Sequence, residues 1–303
     1  MSERKAIGID LGGTRIKGVA IDEDGNILHQ LYMPTNDGDG ASWKNAVAET
    51  VNELRKKLNA CQDNPVGRDK IVIGISAPGL PNDDNTAIAF MPGRMQGLEN
   101  FEWKDFLQHP GYVLNDAVAA MMAEAKFGVA KNKKHVVMLT LGTGVGGAIL
   151  IDGKPYQGAF SKAGHIGHMV IDDEGDCDVT GMPGSLEECI GNCTIEKRSN
   201  GKFESTHELL EAFRNKDEFA KQVWLKSVRQ LAIGLASITN ILSPEVIVLG
   251  GGITEAGEDL FKPLDEYMKE YEWRAGGNKV QIVKAIHGDL AGAIGAACFA
   301  MEK

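Results

Sequence analysis

The chain has 303 residues, 43% of them hydrophobic and 24% charged, a composition typical of a globular protein large enough to bury its own core. Its formal net charge of −10 argues against nucleic acid or an anionic membrane as a partner, because no basic cluster is large enough to release counterions on binding. No run of about 18 apolar residues is present, so we expect a cytoplasmic protein without membrane association.

The first predicted element is a β-hairpin with a glycine-rich tip. Two apolar runs of strand type flank Gly12-Gly13-Thr14, and the second run ends at Asp22. Glycines at such a tip allow positive φ and leave backbone N–H groups uncovered, and successive N–H groups can bind an anion. A third strand is predicted over 27–32, and the helical spacing of apolar residues over 43–58 predicts a helix.

The first half of the chain ends with two further strands and a helix. The run 70–76 is typical of a buried strand, and it leads into a sharp loop at Gly79. Proteins of the α/β class bind ligands at such carboxyl ends of strands. The short strand 112–114 then delivers Asn115-Asp116 to the start of a helix predicted over 117–126.

The second half of the chain repeats the first hairpin in degenerate form, 130 residues later. Asp10 aligns with Thr140 and Gly12 with Gly142 without a gap. We therefore predict a duplicated fold in which the two glycine-rich tips bind a polyphosphate from both sides. The alternative, that each tip is only a tight turn, suits a single copy better than two copies in register. The remaining elements are predicted as strands over 135–141, 147–151, 245–249 and 280–285, and as helices over 206–214, 220–242, 257–270 and 289–301.

One motif in the second half is misleading. The residues 142–147 match the pattern G-x-G-x-x-G of dinucleotide-binding proteins, in which the glycines open a helix. Here an apolar run of strand type follows them, so a nicotinamide site is excluded. The sequence contains no Walker A phosphate-binding pattern either.

The order of six segments resembles the ROK family of sugar kinases, within the sugar kinase, heat-shock 70 and actin superfamily. Besides the two hairpins, these segments are Asn115-Asp116-Ala117, 163–168, 249–252 and 288–293. The resemblance covers residues 6–300 and implies an α/β fold of two ribonuclease-H-like lobes, the actin-like ATPase fold, with a central cleft. The expected lobes are an N-terminal α/β lobe over 1–117, with a C-terminal helix 289–303 packing back on it, and a C-terminal α/β lobe over 118–288.

The resemblance implies ATP-dependent phosphorylation of a hexose or hexose derivative, as in a glucokinase, by a chain that forms a homo-oligomer (dimer or tetramer). Asp116 is then the general base that takes the proton of the acceptor hydroxyl, although the dipeptide alone would favour a helix N-cap. Asp10 is expected to hold hydrated Mg²⁺, with a turn-forming role as the alternative. The residues expected to bind the phosphates and adenosine of ATP are Gly12, Gly13, Thr14, Thr143, Gly144, Gly250, Gly251 and Gly252.

Recognition of a sugar requires paired donors and acceptors for its buried hydroxyl groups. The residues that the resemblance assigns to the sugar are Gly79, Asn100, Asn115, His165, His168 and Glu187. His165 stands where the family most often has Glu, which replaces an obligate acceptor by a possible donor and leaves the identity of the sugar open. Glucose is the first expectation, followed by fructose, N-acetylmannosamine and N-acetylglucosamine. The alternative function is a sugar-binding regulatory protein without catalysis, against which the retained Asp116 and Asp10 speak.

Many ROK kinases hold a structural zinc with three cysteines and a histidine. Where the resemblance places those cysteines, this chain has Asp178, Thr180 and Ser185. We therefore expect that zinc is absent and that a hydrogen bond holds His168 instead. The alternative is a rebuilt zinc site composed of His168, Cys177, Cys189 and Cys193. The five cysteines are scattered, Cys61 among them, and predict free thiols rather than disulfides.

Overall fold

The computed structural model describes residues 4–36, 40–60, 71–91 and 95–303. Lys70, where a strand is predicted to begin, and Cys61 lie outside these residues. No helix of the described residues is long and apolar enough to cross a membrane. The chain forms two compact units, of which unit 1 contains the described residues of Met1–Asn132, Gln157–Lys162 and Ile286–Lys303, and unit 2 contains Lys133–Tyr156 and Ala163–Ala285.

Unit 1 is built on a five-stranded mixed sheet. The strands of this unit are β1 (Lys5–Leu11), β2 (Arg15–Asp22), β3 (Ile27–Pro34), β4 (Ile71–Ala77), the short pair β5 (Leu80–Pro81) and β6 (Ile88–Phe90), and β7 (Gly111–Asn115). The order in the sheet is β3-β2-β1-β4-β7, with β2 antiparallel to both neighbours and β1, β4 and β7 parallel. The inner strands β1 and β4 are buried almost throughout, as expected for parallel strands covered on both faces.

Three helices of unit 1 precede the division of the chain. They are α1 (Ser42–Ala60), α2 (Trp103–Leu107) and α3 (Asp116–Phe127). The apolar stripe of α1 packs on the sheet, with Trp43 and Leu54 fully buried. Trp103 of α2 lies 5.8 Å from Trp43 between ring centroids, so α2 closes the same side of the core.

Unit 2 repeats this plan. Its strands are β8 (Val136–Leu141), β9 (Val145–Ile151), β10 (Lys154–Pro155), β11 (Val246–Gly250) and β12 (Gln281–Lys284). Its helices are α4 (Leu186–Ile190), α5 (Ile195–Arg198), α6 (Thr206–Arg214), α7 (Glu218–Leu242) and α8 (Glu258–Tyr271). The core forms where α7, with the buried Trp224, packs against the sheet and α8.

The two sheets share one topology. In unit 2 the order is β10-β9-β8-β11-β12, with the first three strands antiparallel and the last three parallel, as in unit 1. The hairpin β8–β9 occupies in unit 2 the position that β1–β2 occupies in unit 1. The duplicated α/β fold predicted from the repeated hairpin is therefore confirmed.

The last helix, α9 (Ala291–Met301), belongs to unit 1 and packs on β1, β4 and α3. It consists largely of Ala and Gly, and its residues from Ala291 to Ala300 are buried. A Cβ added at Gly8 of β1 or Gly74 of β4 would collide with backbone carbonyl groups of this helix. Direct contact between the backbone of α9 and the backbone of β1 and β4 therefore fixes the position of α9. At these two glycines no side chain lies between them that could change its conformation to allow a shift.

The helix α3 also belongs entirely to unit 1. Its residues from Ala117 to Glu124 are all buried, and a Cβ added at Gly295 of α9 would collide with the Ala119 carbonyl. The predicted boundary between residues 117 and 118 falls inside this helix, whereas the division lies after Asn132. The physical reason is that a helix buried all round must stay with the core that covers it.

We expect Gly74→Ala to lower the free energy of unfolding by about 1–3 kcal/mol or more, because the new methyl group has no space against the Ala296 carbonyl. Urea denaturation of both proteins measures this difference. Gly142→Ala is the matched control, since an added Cβ there meets no atom within 4 Å. A loss of stability in Gly74→Ala no larger than that in Gly142→Ala would show that the packing of α9 tolerates an extra methyl group.

Candidate active site

Asp10 lies near the end of β1, beside the tip of the first hairpin. Its Oδ1 accepts a hydrogen bond of 2.7 Å from Ser76 Oγ on β4, and its Oδ2 pairs with Lys17 Nζ on β2 at 3.0 Å. Its carboxylate is 15% exposed. A Cβ added at Gly292 would lie 2.6 Å from Asp10 Oδ1, so the start of α9 also contacts the carboxylate. Three elements of unit 1 therefore hold Asp10 in place.

The surroundings of Asp10 fit a metal ion that keeps most of its water. No three His, Cys, Asp or Glu side chains of the described residues lie close enough together to hold a metal by themselves. A single ordered carboxylate suits Mg²⁺, which is a hard cation, retains several waters and is commonly bound together with phosphate oxygens. The single carboxylate of Asp10 thus suits a Mg²⁺ ion whose other ligands are water and the oxygens of a polyphosphate.

Asn115 and Asp116 divide two roles at the start of α3. Asn115 is the N-cap, since its Oδ1 accepts a hydrogen bond of 3.0 Å from the Ala117 N–H, and its Nδ2 donates to the Gly79 carbonyl at 3.1 Å. The Asp116 Oδ1 also accepts from the Ala117 N–H, at 2.7 Å, and Asp116 is exposed. The buried Asn115 is therefore the residue that caps the helix, and the carboxylate of Asp116 in the first turn is accessible to solvent.

Gly79, Asn100 and Asn115 are brought together in unit 1 through β6. Gly79 has φ +102°, and a Cβ there would lie 2.7 Å from the Phe90 carbonyl. The exposed Asn100 has φ +55°, and its N–H donates to the Ile88 carbonyl at 2.7 Å. Both loops thus meet β6, while Asn115 reaches Gly79 from the other side. Gly79 is required here by its backbone conformation.

The glycines at the hairpin tips do not have the positive φ angles that the sequence predicts for them. Neither Gly12 nor Gly13 has positive φ, and the same holds for Gly144 in the second tip. The Gly12 carbonyl accepts a hydrogen bond of 2.5 Å from Thr35 Oγ1, and Thr14 is exposed. An added Cβ at Gly12 would lie 2.8 Å from the Arg15 carbonyl oxygen, so space at this position is limited although its backbone is not left-handed.

Glu187 of α4 is bound to the tip of the second hairpin. Its Oε2 accepts a hydrogen bond of 2.8 Å from the Val145 N–H. A Cβ added at Gly144 would collide with the same carboxylate. Gly144 is therefore needed for the approach of Glu187, and Thr143 is held next to it by a hydrogen bond of 2.8 Å from the Cys193 N–H to its carbonyl.

His165 and His168 lie next to β9 in unit 2. The two rings are stacked, with centroids 6.5 Å apart and planes inclined by 20°. A Cβ added at Gly147 of β9 would lie 2.5 Å from the Gly164 carbonyl, so this segment packs directly on the strand. His165, His168 and Glu187 are thus all attached to the β8–β9 hairpin.

The imidazole of His168 is held by a carboxylate. Its Nδ1 is 2.8 Å from Asp178 Oδ2, and the Asp178 side chain is fully buried. Burial raises the pKa of Asp178, but hydrogen bonds from Thr180, His168 and Ser185 outweigh it and lower the pKa below its usual range. Asp178 is one of the residues that replace the family's cysteines, and the hydrogen bond expected at His168 is present.

The cysteines do not gather around His168. In the described part of the chain, His168, Cys177, Cys189 and Cys193 form no group able to hold a metal, so the rebuilt zinc site is not supported. Cys189 is buried in the core side of α4, and burial raises the pKa of its thiol to about 11. Such a thiol stays protonated, which makes it a poor metal ligand.

A cavity of about 470 Å³ lies in unit 2 beside the second hairpin tip. Two of the predicted nucleotide residues, Thr143 and Gly252, line it. Its buried apolar wall consists of Leu210, Ile253 and Ala256. Polar side chains, among them Thr143, Asn192 and Arg214, line the rest of the cavity, and a concave surface of this mixed kind is typical of a small-molecule site.

Gly250 and Gly251 shape the turn that leads into this cavity. Gly251 has φ +86°, and a Cβ there would collide with the backbone of Leu141. A Cβ at Gly250 would lie 3.0 Å from Met138 Cε. These two glycines let β11 pass close to β8, and only Gly252 reaches the cavity.

Sequence reasoning missed Asn192 and Thr206, which also line the cavity. The Asn192 N–H donates to the Gly142 carbonyl at 3.0 Å, and its Oδ1 accepts from the Thr206 N–H at 2.8 Å. Asn192 therefore joins the hairpin tip to the start of α6. No local pattern marks these residues, because the contact joins segments that are distant in the chain.

The sequence and the fold resemble those of known proteins. The sequence profile of the ROK family matches residues 6–303. A glucokinase from Streptomyces coelicolor is 31% identical over 98% of this chain and 97% of its own. Among solved structures, the ROK hexokinase from Thermus thermophilus has a TM-score of 0.85 and 28% identity, with 98% of each chain covered. A ROK family glucokinase from Streptomyces griseus, solved with glucose and AMPPNP, has a TM-score of 0.79 and 26% identity over 99% of this chain and 100% of its own.

We expect Asp178→Asn to lower the melting temperature at neutral pH, because the ionised carboxylate accepts several hydrogen bonds in the folded protein. The lowered pKa means that this stabilisation is present above the unfolded value near 3.8 and is lost as the pH falls through the folded value. Melting curves between about pH 6 and about pH 2 should therefore show a constant difference between the two proteins above about pH 4 and a shrinking difference below it.

The exposed Asp173 provides the control, since Asp173→Asn should change the melting temperature little at any pH. A difference between wild type and Asp178→Asn that stays constant over this pH range would mean that the charge of Asp178 contributes nothing to stability.

Proposed function

Because the chain belongs to the ROK family, we propose that it is a sugar kinase that transfers the γ-phosphoryl group of ATP to a hydroxyl group of a hexose, with glucose as the first candidate. The glucokinases to which it is similar support both substrates. The observation that carries the proposal is the accessible carboxylate of Asp116, in the first turn of α3 and beside the sugar-side loop at Gly79.

Asp116 is proposed as the general base. Phosphoryl transfer depends mainly on positioning and charge neutralisation, and the acceptor hydroxyl must lose its proton. The N-terminus of α3 stabilises the negative charge of Asp116, which keeps the carboxylate able to take that proton.

The cavity of unit 2 is proposed to hold the nucleotide. The apolar residues Leu210, Ile253 and Ala256 suit the flat faces of adenine, and Thr143 and Gly252 are proposed to lie next to the phosphates. In unit 1, the residues proposed to bind phosphate groups are Asp10, Gly12, Gly13 and Thr14. When bound, Mg²⁺ would be held by Asp10 through water and would neutralise phosphate charge.

In unit 1, Asn100 and Asn115 are the residues proposed to bind sugar hydroxyl groups. In unit 2, the residues proposed for this role are His165, His168 and Glu187. His168 donates from Nδ1 to the Asp178 carboxylate, so its Nε2 is left as an acceptor for a sugar hydroxyl when the ring is neutral. Glu187 uses Oε2 for the Val145 N–H, so its other oxygen is the one offered to the sugar.

We expect Asp116→Asn to reduce kcat by about 100-fold or more, because the amide cannot take the proton of the acceptor hydroxyl. A coupled ADP-release assay with Mg²⁺-ATP and a panel of hexoses and N-acetylhexosamines measures turnover, and calorimetry measures binding of the same sugar. Sugar affinity should stay within about threefold of wild type.

Unchanged turnover of Asp116→Asn would remove Asp116 from the role of base. A wild-type protein that binds one of these sugars but releases no ADP would favour the sugar-binding regulatory protein instead.

We expect Gly252→Leu to raise the KM for ATP by about tenfold and to leave sugar affinity unchanged. An added Cβ at Gly252 meets no atom within 4 Å, and the residue lines the cavity, so a larger side chain would occupy nucleotide space without disturbing the fold. Initial rates at varied ATP concentration test this. A KM for ATP equal to that of wild type would place the nucleotide outside this cavity.

A further inference from the structure

Glu124 is a fully buried charged residue of unit 1 that the proposed reaction does not use. It lies about two turns after Asp116 on α3, and its side chain is 0% exposed. Its Oε1 accepts hydrogen bonds from the Ile286 N–H at 2.8 Å, the His287 N–H at 3.0 Å and His287 Nδ1 at 3.1 Å. Its Oε2 accepts from the Val129 N–H at 3.1 Å.

A buried carboxylate persists only when its oxygens are satisfied, since an unpaired charge costs far more than hydrogen bonds return. Burial raises the pKa of Glu124, but the hydrogen bonds from His287 and Val129 outweigh it and lower the pKa. Glu124 is therefore an ionised anchor with four N–H donors. Glu124 binds the segment at Val129, just before the chain leaves unit 1, and residues 286–287, where the chain re-enters it.

The donors of Glu124 lead directly into α9. Ile286 and His287 precede a single helical turn over 288–290, after which α9 begins at Ala291. The next residue of α9, Gly292, packs against Asp10 and Ser76, and Gly295 packs against the Ala119 carbonyl of α3. The helix that begins with Asp116 and the helix that contacts Asp10 are thus joined at one end by Glu124.

We infer that Glu124 is a positioning residue, which fixes α3 against the start of α9 and so holds Asp116 at a set place relative to Asp10. The inference rests on the proposed function, because it concerns the two carboxylates assigned to phosphoryl transfer. Glu124 contacts neither carboxylate itself, and its effect passes through the two helices. A change at Glu124 should therefore disturb turnover more than binding.

The test is Glu124→Gln, which keeps the size of the side chain. An amide accepts hydrogen bonds through one oxygen only, and its NH₂ group would face N–H donors. We expect kcat to fall by about tenfold or more, while the KM values for ATP and sugar stay within about twofold. Amide hydrogen exchange should become faster at residues 286–287 and along 117–123, which shows whether α3 has loosened.

The control for general loss of stability is Val51→Ala, a core change in α1 of the same unit. It should lower the melting temperature but leave kcat within about twofold of wild type. A second variant, Gly128→Ala, covers the case in which Glu124→Gln does not fold. The added Cβ would collide with Glu124 Oε2 and displace the carboxylate without removing its charge, so the same fall in kcat is expected.

A normal kcat in either variant, together with faster amide hydrogen exchange at residues 286–287, would overturn the positioning role. Amide hydrogen exchange along 117–123 equal to that of wild type would also overturn it. Failure of the proposed function would look different. In that case the wild-type protein itself would phosphorylate no sugar, and the exchange of 117–123 in Glu124→Gln would still decide whether Glu124 holds α3.

Discussion

The direct contact of α9 with the sheet is the constraint on which the rest of unit 1 depends. Glycines on β1, β4 and α9 remove the side chains that would otherwise keep backbone from backbone. The same approach places Gly292 against Asp10 and Gly295 against α3. Because close-packed backbone cannot yield gradually, the carboxylate of Asp10 and the start of α3 are set by the same packing.

Buried and half-buried polar side chains add directed hydrogen bonds, which orient side chains and connecting segments. Glu124 collects four N–H groups at the ends of connecting segments, and Ser76 orients Asp10. In unit 2, Glu187 holds the second hairpin tip, and Asp178 holds the ring of His168. Glu124 and Glu187 accept hydrogen bonds from distant parts of the chain, whereas the donors to Asp178 lie within about ten residues of it. Hydrogen bonds to ionised groups are the stronger ones in proteins.

Much of the site was predictable, because its signals are local. The paired hairpins, the Asn115-Asp116 step and the turn at Gly252 are short patterns of residue type and spacing. One of the two reasons given for the tip glycines was wrong, since Gly12, Gly13 and Gly144 do not have positive φ and Gly144 is small to admit Glu187. Asn192 and Thr206 were missed because their contact joins the end of one loop to the start of α6.

The sequence by itself determined the duplicated α/β plan, the strand and helix types and the position of Asp116 at a helix start, because periodicity and capping are properties of neighbouring residues. Only the tertiary structure decided that α3 belongs to unit 1, that the Asp178 carboxylate binds the ring of His168, and that Glu124 joins α3 to α9. These depend on which distant groups meet in the folded chain, and hydrogen-bond satisfaction and steric exclusion act only after they have met.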